Sequence, residues 1–392
     1  MNIQKFQKSS AGKLIRSLNG YHTFIPHPLP PKISLDDINL IKLLTNAERA
    51  LGELAGLGYL IPNADFLVIP YTRLEAVASS KIEGTQASLS DLFFFEAAQE
   101  TPKSRDDVIE VKNYLNALNY GLKRLDTLPL SLKLVREIHR ILMDDVRGGT
   151  SDKTPGDFRR SQNWIGPAGC TLDSATFVPP PHEEILNLLG DWEKFIHERD
   201  SLPLLIQCAY MHYQFETIHP FLDGNGRVGR LLITLFLCER KALPYPLLYL
   251  SAYFERYRDE YLDSLLAVSR DGDWKRWLQF FLQGVMTQSH HAIESAKRIV
   301  NQRENYRQLL QQGKSSASVL SLLDIMFTSP YLNLQQASEK LNVSFNTAKK
   351  SMQQLEDLGI VHEATGQRRN RIYFAKRLLE LLVENDPNKL TS

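Results

Sequence analysis

A short polar loop, His219-Pro-Phe-Leu-Asp223-Gly-Asn225-Gly226, stands between two apolar runs of helical period, Leu202–Thr217 and Arg227–Arg240. Two such helices must bury their apolar residues, so the loop between them is tight and ends at a helix N-terminus. Gly224-Asn225-Gly226 can adopt backbone conformations that turn successive N–H groups toward one point. At the positive end of a helix this is an anion nest, suited to a phosphate. Arg227 and Arg230 are three residues apart on the first turn, nearly on one face, where both reach further phosphate oxygens. Asp223, beside anion-binding groups, is explained most simply by a Mg²⁺ ion, which bridges phosphates and needs only one or two carboxylates. His219 is the one group of the loop that takes a proton near neutral pH. Base, metal ligand, phosphate cradle and counter-charges are the parts of a phosphoryl or nucleotidyl transfer site.

The rest of the chain is dominated by helical periodicity. Ser34-Leu-Asp-Asp opens a helix with apolar residues at Ile38, Ile41, Leu44, Leu51 and Leu54, and Asp65–Gln86 predicts another. Asp106–Arg124, Ser131–Val146, His182–His197, Glu255–Arg270 and Asp273–Gln312 follow the same period. Residues 21–33 carry four prolines and predict an extended surface segment. Around Asn163–Thr171 the β-formers and the Gly-Pro-Ala-Gly turn predict a hairpin. His212, seven residues before His219, has no evident third ligand for a metal and reads as structural.

Lys+Arg is 46 and Asp+Glu is 45, so no global charge selects nucleic acid, membranes or acidic substrates. The three cysteines, Cys170, Cys208 and Cys238, form no CxxC pair, which fits a reducing compartment. The N-terminal stretch has no apolar core of signal-peptide length, and no run approaches the roughly 20 residues that cross a bilayer. A cytoplasmic protein without membrane contact is expected.

His219-Pro-Phe-x-Asp-Gly-Asn-Gly-x-x-Arg230 resembles the Fic family signature at every fixed position, and the likeness runs from about Phe24 to Leu282. The resemblance implies a helical bundle in which the histidine deprotonates a Ser, Thr or Tyr hydroxyl of a target protein. That hydroxyl attacks the α-phosphorus of ATP. It also implies that Asp223 holds Mg²⁺ and that Gly224, Asn225, Gly226, Arg227, Val228, Gly229 and Arg230 bind the phosphates. Gly226 stands where kinase-like relatives carry lysine, which favours AMP transfer. Ser79-x-x-x-Glu83-Gly84 is similar to the family's inhibitory helix motif, whose glutamate pairs with the second motif arginine, here Arg230. Asn163, Trp164, Ile165 and Gly166 match the flap that holds the target segment by strand addition. Tyr261-Leu262 lies where the family borders the nucleotide, though two tyrosines often stand there.

Beyond Gly313-Lys-Ser-Ser-Ala-Ser, three short helices (Val319–Thr328, Leu334–Leu341, Phe345–Leu358) and two strands (Ile360–Ala364, Arg371–Phe374) predict a winged helix-turn-helix. From Tyr331 to Arg377 there are eight Lys/Arg against four Asp/Glu, with Lys349 and Lys350 on the recognition helix and Arg368, Arg369 and Arg371 on the wing. That excess permits DNA binding, while protein docking and a homodimer remain open. The expected fold is therefore mainly α: a Fic-type helical bundle with a β-hairpin flap, then a winged helix-turn-helix. Its segments are an extended 1–33, an N-terminal helical region 34–110, a catalytic domain with connecting helix 111–312 and a winged domain 313–392. Two other functions stay open: a DNA-binding regulator with a nucleotide-sensing Fic domain, and AMP removal at the same site.

Overall fold

Apolar residues at helical spacing build most of the chain, and the computed structural model describes all of it except residues 2, 8, 18–19, 62, 99–104, 147–152, 168, 368 and 384–392. The order begins with α1 (Ile3–Phe6), β1 (Gly12–Arg16) and β2 (His22–Pro26). Helices α2 (Ile38–Leu60), α3 (Asp65–Ile82), α4 (Leu89–Ala98), α5 (Arg105–Arg124) and α6 (Leu132–Leu142) follow. After an irregular stretch come α7 (Ile185–His197), α8 (Leu204–Ile218), α9 (Asn225–Glu239), α10 (Ser251–Arg256), α11 (Arg258–Asp271) and α12 (Trp274–Gln312). The remainder is α13 (Ala317–Thr328), β3 (Tyr331–Asn333), α14 (Leu334–Leu341), α15 (Phe345–Asp357), β4 (His362–Glu363), β5 (Ile372–Phe374) and α16 (Lys376–Val383).

The two runs that flank the polar loop are the centre of the bundle. Along α8 the consecutive residues Leu205 to Phe215 are all buried, and on α9 so are Arg227 to Leu237, so each helix is covered on every face. A helix buried all round has neighbours on every side. Trp192 of α7 and Trp277 of α12 lock onto α8 by donating to the Met211 and Ala209 carbonyls, each at 2.9 Å. The 39 residues of α12 span about 58 Å at 1.5 Å per residue. The helix packs along α2 and continues to α13 and α16, tied there by Arg303 and Arg307 to Asp324.

Local chemistry sets the helix starts. Asp37 caps α2 by accepting from the Asn39 and Leu40 amides. Asn333 and Gln336 form a capping box on α14, and Ser344 caps α15 through the Thr347 amide.

The structure departs from the sequence expectations in several places. Residues 21–33 are irregular only after Pro26, because His22–Pro26 pairs with Gly12–Arg16 as a two-stranded antiparallel sheet. The hairpin expected near Asn163–Thr171 is a loop closed by a single antiparallel bridge, Ile165 with Phe177. Glu255–Arg270 is broken at Tyr257 into two helices. Helices α4 and α16 and strand β3 had no sequence forecast. Past α12, the three helices expected there are joined by a three-stranded antiparallel sheet in the order β3-β5-β4. Arg368 of the expected wing lies outside the described residues.

Candidate active site

The loop leaves α8 at His219, which takes a left-handed conformation (φ 50°) as the helix ends and donates its amide to the Phe215 carbonyl at 3.0 Å. It enters α9 through Gly224 (φ 74°). Between them Asn225 staples the turn. Its side-chain oxygen accepts the Phe221 amide at 2.8 Å, and its side-chain nitrogen donates to the Phe221 carbonyl at 2.9 Å.

Three residues from other elements fix the same backbone. His139 of α6 stacks on Phe221 (ring centroids 3.7 Å apart, planes 3° apart) and meets the Asp223 carbonyl at 3.0 Å. Its other nitrogen accepts the Gly156 amide at 2.8 Å, so the nitrogen facing Asp223 carries the hydrogen. Burial pushes this imidazole down to about pKa 4, which keeps it neutral in that tautomer. Asn163 donates to the Phe221 and His219 carbonyls at 2.9 and 3.2 Å. Arg159 donates to the His219 carbonyl at 2.9 Å, and burial lowers its own pKa to about 10.

His219 is held ready to accept a proton. Its Nδ1 faces the Glu216 carbonyl at 3.2 Å, and a carbonyl only accepts, so Nδ1 carries the hydrogen and Nε2 is the basic nitrogen. Burial lowers its pKa to about 4, with the Arg159 charge adding to the drop and the Glu216 carbonyl and Glu83 opposing it.

Helix α3 brings Ser79 and Glu83 onto Arg230. The guanidinium donates to the Ser79 hydroxyl at 2.9 Å, the Ser79 carbonyl at 2.9 Å and Glu83 Oε1 at 2.6 Å. Arg230 is 2% exposed and Glu83 40%. Burial raises the Glu83 carboxyl, but the charge and hydrogen bond of Arg230, with Arg227 and His219, outweigh it, so the group stays ionised. Gly84 ends α3 at once after Glu83, with a φ of 98° that other residues rarely adopt. Gly226 is needed for space: a Cβ there would overlap the Glu83 carboxylate and come within 2.9 Å of Arg230. The helix is also anchored from its own middle. Buried Glu75 accepts from the Ser251 amide at 2.9 Å, the Ser251 hydroxyl and the Tyr114 hydroxyl at 3.2 Å.

Arg227 lies on the first turn of α9. Its Nε and one terminal nitrogen are buried without a hydrogen-bond partner, and its ion pair with Glu110 is long at 3.7 Å. Buried cationic donors left open call for an acceptor. The first-turn amides of α9 have no carbonyl of their own helix to meet, so the residues present fit a polyphosphate. Asp223 accepts the Gly224 amide at 2.6 Å and makes no ion pair among the described residues. One uncommitted carboxylate beside a phosphate cradle fits Mg²⁺. No group of three or more metal-ligating side chains occurs among the described residues.

The other sequence candidates fall less centrally. Val228 is buried and acts through the helix, donating to the Gly224 carbonyl at 3.0 Å, and Gly229 offers its carbonyl to His212 at 3.1 Å. Tyr261 is 1% exposed, stacked on Phe254, and shares a 2.8 Å hydrogen bond with His212. Leu262 is 41% exposed on the outer face of α11. His212 is buried and neutral, as its structural reading requires. On the flap Ile165 forms the bridge to Phe177, Gly166 follows it, and exposed Trp164 donates to the Cys170 carbonyl at 3.0 Å.

Sequence reasoning missed His139, Arg159, Glu75 and Glu216. A polar residue on the apolar face of α6 was the available signal for His139. Glu216, one turn before His219, is pushed up to about pKa 7 by burial, with Glu83 adding to the rise and Arg230 opposing it.

A helical bundle whose two central helices, α8 and α9, are joined by a tight polar loop with His219 at its head is the framework on which the comparisons bear. Two family models match the chain, Fic/DOC family N-terminal over residues 41–123 and Fic/DOC family over 129–237, and the chain belongs to the Fic family. Protein adenylyltransferase Fic of Drosophila persimilis is 28% identical over 184 residues, covering 45% of this chain and 32% of that protein. That of Aedes aegypti is 30% identical over 156 residues, covering 38% and 27%. The chain thus spans about a third of the length of these curated relatives. Among solved structures, a Fic family protein from Desulfovibrio desulfuricans G20 superposes with TM-score 0.57 at 18% identity, over 89% of this chain and 98% of that one. A fragment of Fic-1 from C. elegans gives TM-score 0.50 at 19% identity, over 66% and 74%. These two are similar in fold. No helix among the described residues is long and apolar enough to cross a membrane.

Proposed function

We propose that this chain is a protein adenylyltransferase that moves AMP from ATP to a Ser, Thr or Tyr hydroxyl of a target protein or of itself, and that Glu83 holds it in check. The observation that carries the reading is the cradle itself: buried donors on Arg227 without a hydrogen-bond partner, at the N-terminus of α9 where the first amides have no carbonyl of their own helix to meet, and His219 with Nε2 as its basic nitrogen. The named relatives, protein adenylyltransferases, support it.

The geometry supports the following roles. His219 Nε2 takes the proton of the target hydroxyl, whose oxygen attacks the α-phosphorus. The bond from that phosphorus to the bridging oxygen breaks, and pyrophosphate leaves with the electron pair. Arg227, Arg230 and the α9 amides hold the phosphate charge, which is where most of the acceleration in such transfers arises. Mg²⁺, held by Asp223, would neutralise charge on the phosphates. Asn163 couples the flap to the loop through the His219 and Phe221 carbonyls, so a target strand laid on Trp164, Ile165 and Gly166 is registered against the base.

Glu83 opposes this chemistry by holding Arg230 and by placing a negative charge against the nest. The test is incubation of the wild type and Glu83→Gly with α-labelled ATP and lysate: labelled protein bands, stronger with the variant, are expected. No labelling by either protein would overturn the reading. A second reading, removal of AMP, is favoured by one observation: Glu83 is ionised and 40% exposed, so it could orient a water. Release of AMP from a labelled target by the wild type, lost in Glu83→Gly, would identify it.

A further inference from the structure

Helix α3 has two working faces. Glu75, Ser79 and Glu83 look toward the phosphate cradle. Leu74, Val77, Ala78 and Lys81, spaced i, i+3, i+4 and i+7, lie on the nearly opposite face and wall a cavity of about 340 Å³. The far wall belongs to the C-terminal elements: Tyr331, Phe374, Leu379 and Leu382. The volume falls within the range of about 300–1,000 Å³ usual for small-molecule sites.

The lining is apolar with a few placed polar groups, the pattern of a ligand site. Its charged members are Lys81, Arg256 and Lys376 against Glu255 and Glu380. Glu380 is taken up by Lys376 and Arg377. Lys81 and Arg256 make no ion pair among the described residues, so they leave a positive balance over Glu255. Gln288, 5% exposed, also lines the cavity, and its side-chain oxygen is buried with no hydrogen-bond partner. A buried acceptor without a donor, on a residue of the cavity wall, is met by a ligand's N–H or O–H once the amide turns toward the cavity.

We propose that this cavity binds a small aromatic carboxylic acid carrying one N–H or O–H donor, and that its occupancy holds α3 in the inhibiting position. The ring fills the apolar space, the donor meets Gln288, and the carboxylate lies on Lys81 and Arg256. The sign follows from linkage. The cavity exists in the arrangement in which Glu83 contacts Arg230, so a ligand that fits it stabilises that arrangement over one in which α3 has moved. The regulatory half rests on the adenylyltransferase reading; the binding half does not.

The probe is indole-3-propionate, titrated into the full chain by calorimetry. One saturable site is expected, weakened at least tenfold in Lys81→Ala and in Arg256→Gln and abolished by Ala78→Trp, which fills the cavity from the α3 side. No saturable binding, or binding unchanged in both charge variants, overturns the site. With the probe at ten times its dissociation constant, AMP labelling by the wild type is expected to fall about tenfold, while labelling by Glu83→Gly is unaffected. Binding with undiminished wild-type labelling overturns the coupling. If Glu83→Gly labels nothing at all, the adenylyltransferase reading fails, and the calorimetry still decides the cavity on its own.

Discussion

Arg230 donates to Glu83 at 2.6 Å across 147 positions of sequence, and the same guanidinium takes both the hydroxyl and the carbonyl of Ser79. Two of the three guanidinium nitrogens of Arg230, Nε and one terminal nitrogen, are therefore engaged by one helix. Glu83 is 40% exposed, so the ion pair itself is worth about 1 kcal/mol rather than the several of a fully buried one. Added to that is the repulsion between its charge and a triphosphate. Glu83→Gly is expected to raise AMP labelling by about tenfold or more, each factor of ten being about 1.4 kcal/mol. Arg230→Ala in that background should abolish the gain. Labelling that stays at the wild-type level with a competent target present would return Glu83 to an ordinary helix-end acid.

His219→Ala should remove AMP transfer while ATP binding survives, because the loss of a general base lowers the rate by about 10²–10⁴. The His219 pKa near 4 adds a second check. Titrated by NMR in the ligand-free protein, its ring should stay neutral down to about pH 5, well below the usual histidine midpoint near 6.5. A midpoint at 6.5 would mean that the ring is solvated and the loop is open.

With Asp223 as the proposed single carboxylate ligand, Asp223→Ala should raise the Mg²⁺ concentration needed for half-maximal labelling by about tenfold or more. An unchanged Mg²⁺ dependence would place the metal elsewhere.

How much of this could be read from the chain differs by type of feature. The loop was legible because its parts are contiguous: His219, Asp223, the glycines and both arginines sit within one turn and the start of α9. Helices with strong apolar period were legible too, and α14 matches its forecast at both ends. Glu83 was legible only through a family resemblance, since nothing in Ser79–Gly84 names a partner 147 residues away. Arg159 could not be seen, and His139 only as a polar residue on an apolar face, because each acts on a backbone carbonyl of the loop, and any residue offers that carbonyl. The flap was overread: Ile165 and Phe177 pair once, and the intervening turn makes no ladder. Strand β3 escaped because three residues carry too little pattern.

The C-terminal elements present Lys349, Lys350, Arg369 and Arg371 exposed. If they bind DNA, the affinity should be weak and should fall steeply between 50 and 200 mM salt, with a log–log slope of about −0.9 per phosphate contacted. Lys349→Ala together with Lys350→Ala should reduce that slope by about 2. Absence of any DNA affinity at low salt would leave protein docking as the role of this face.

Glu216 supplies a pH test that needs no substrate. One of its carboxyl oxygens is buried without a hydrogen-bond partner, and the group is pushed from its usual 4.5 up to about 7. The folded chain therefore keeps a proton on Glu216 between pH 4.5 and 7, where the unfolded chain has lost it. With more protons bound in the native state, stability must fall as pH rises through that window. The contribution is whole below 4.5 and gone above 7. Buried neutral His139, His212 and His219 act in the opposite sense, losing their contribution as pH falls below about 6.5. The comparison that isolates Glu216 is thus wild type against Glu216→Gln at each pH. The glutamine variant should gain on the wild type between pH 5 and pH 8 by about 1–3 kcal/mol, one pKa unit being about 1.4 kcal/mol. For a chain of this size that is a relative rise of about 1–4 °C in Tm. If the difference in Tm between the two proteins is the same at pH 5 and pH 8, Glu216 is ionised in the native state throughout.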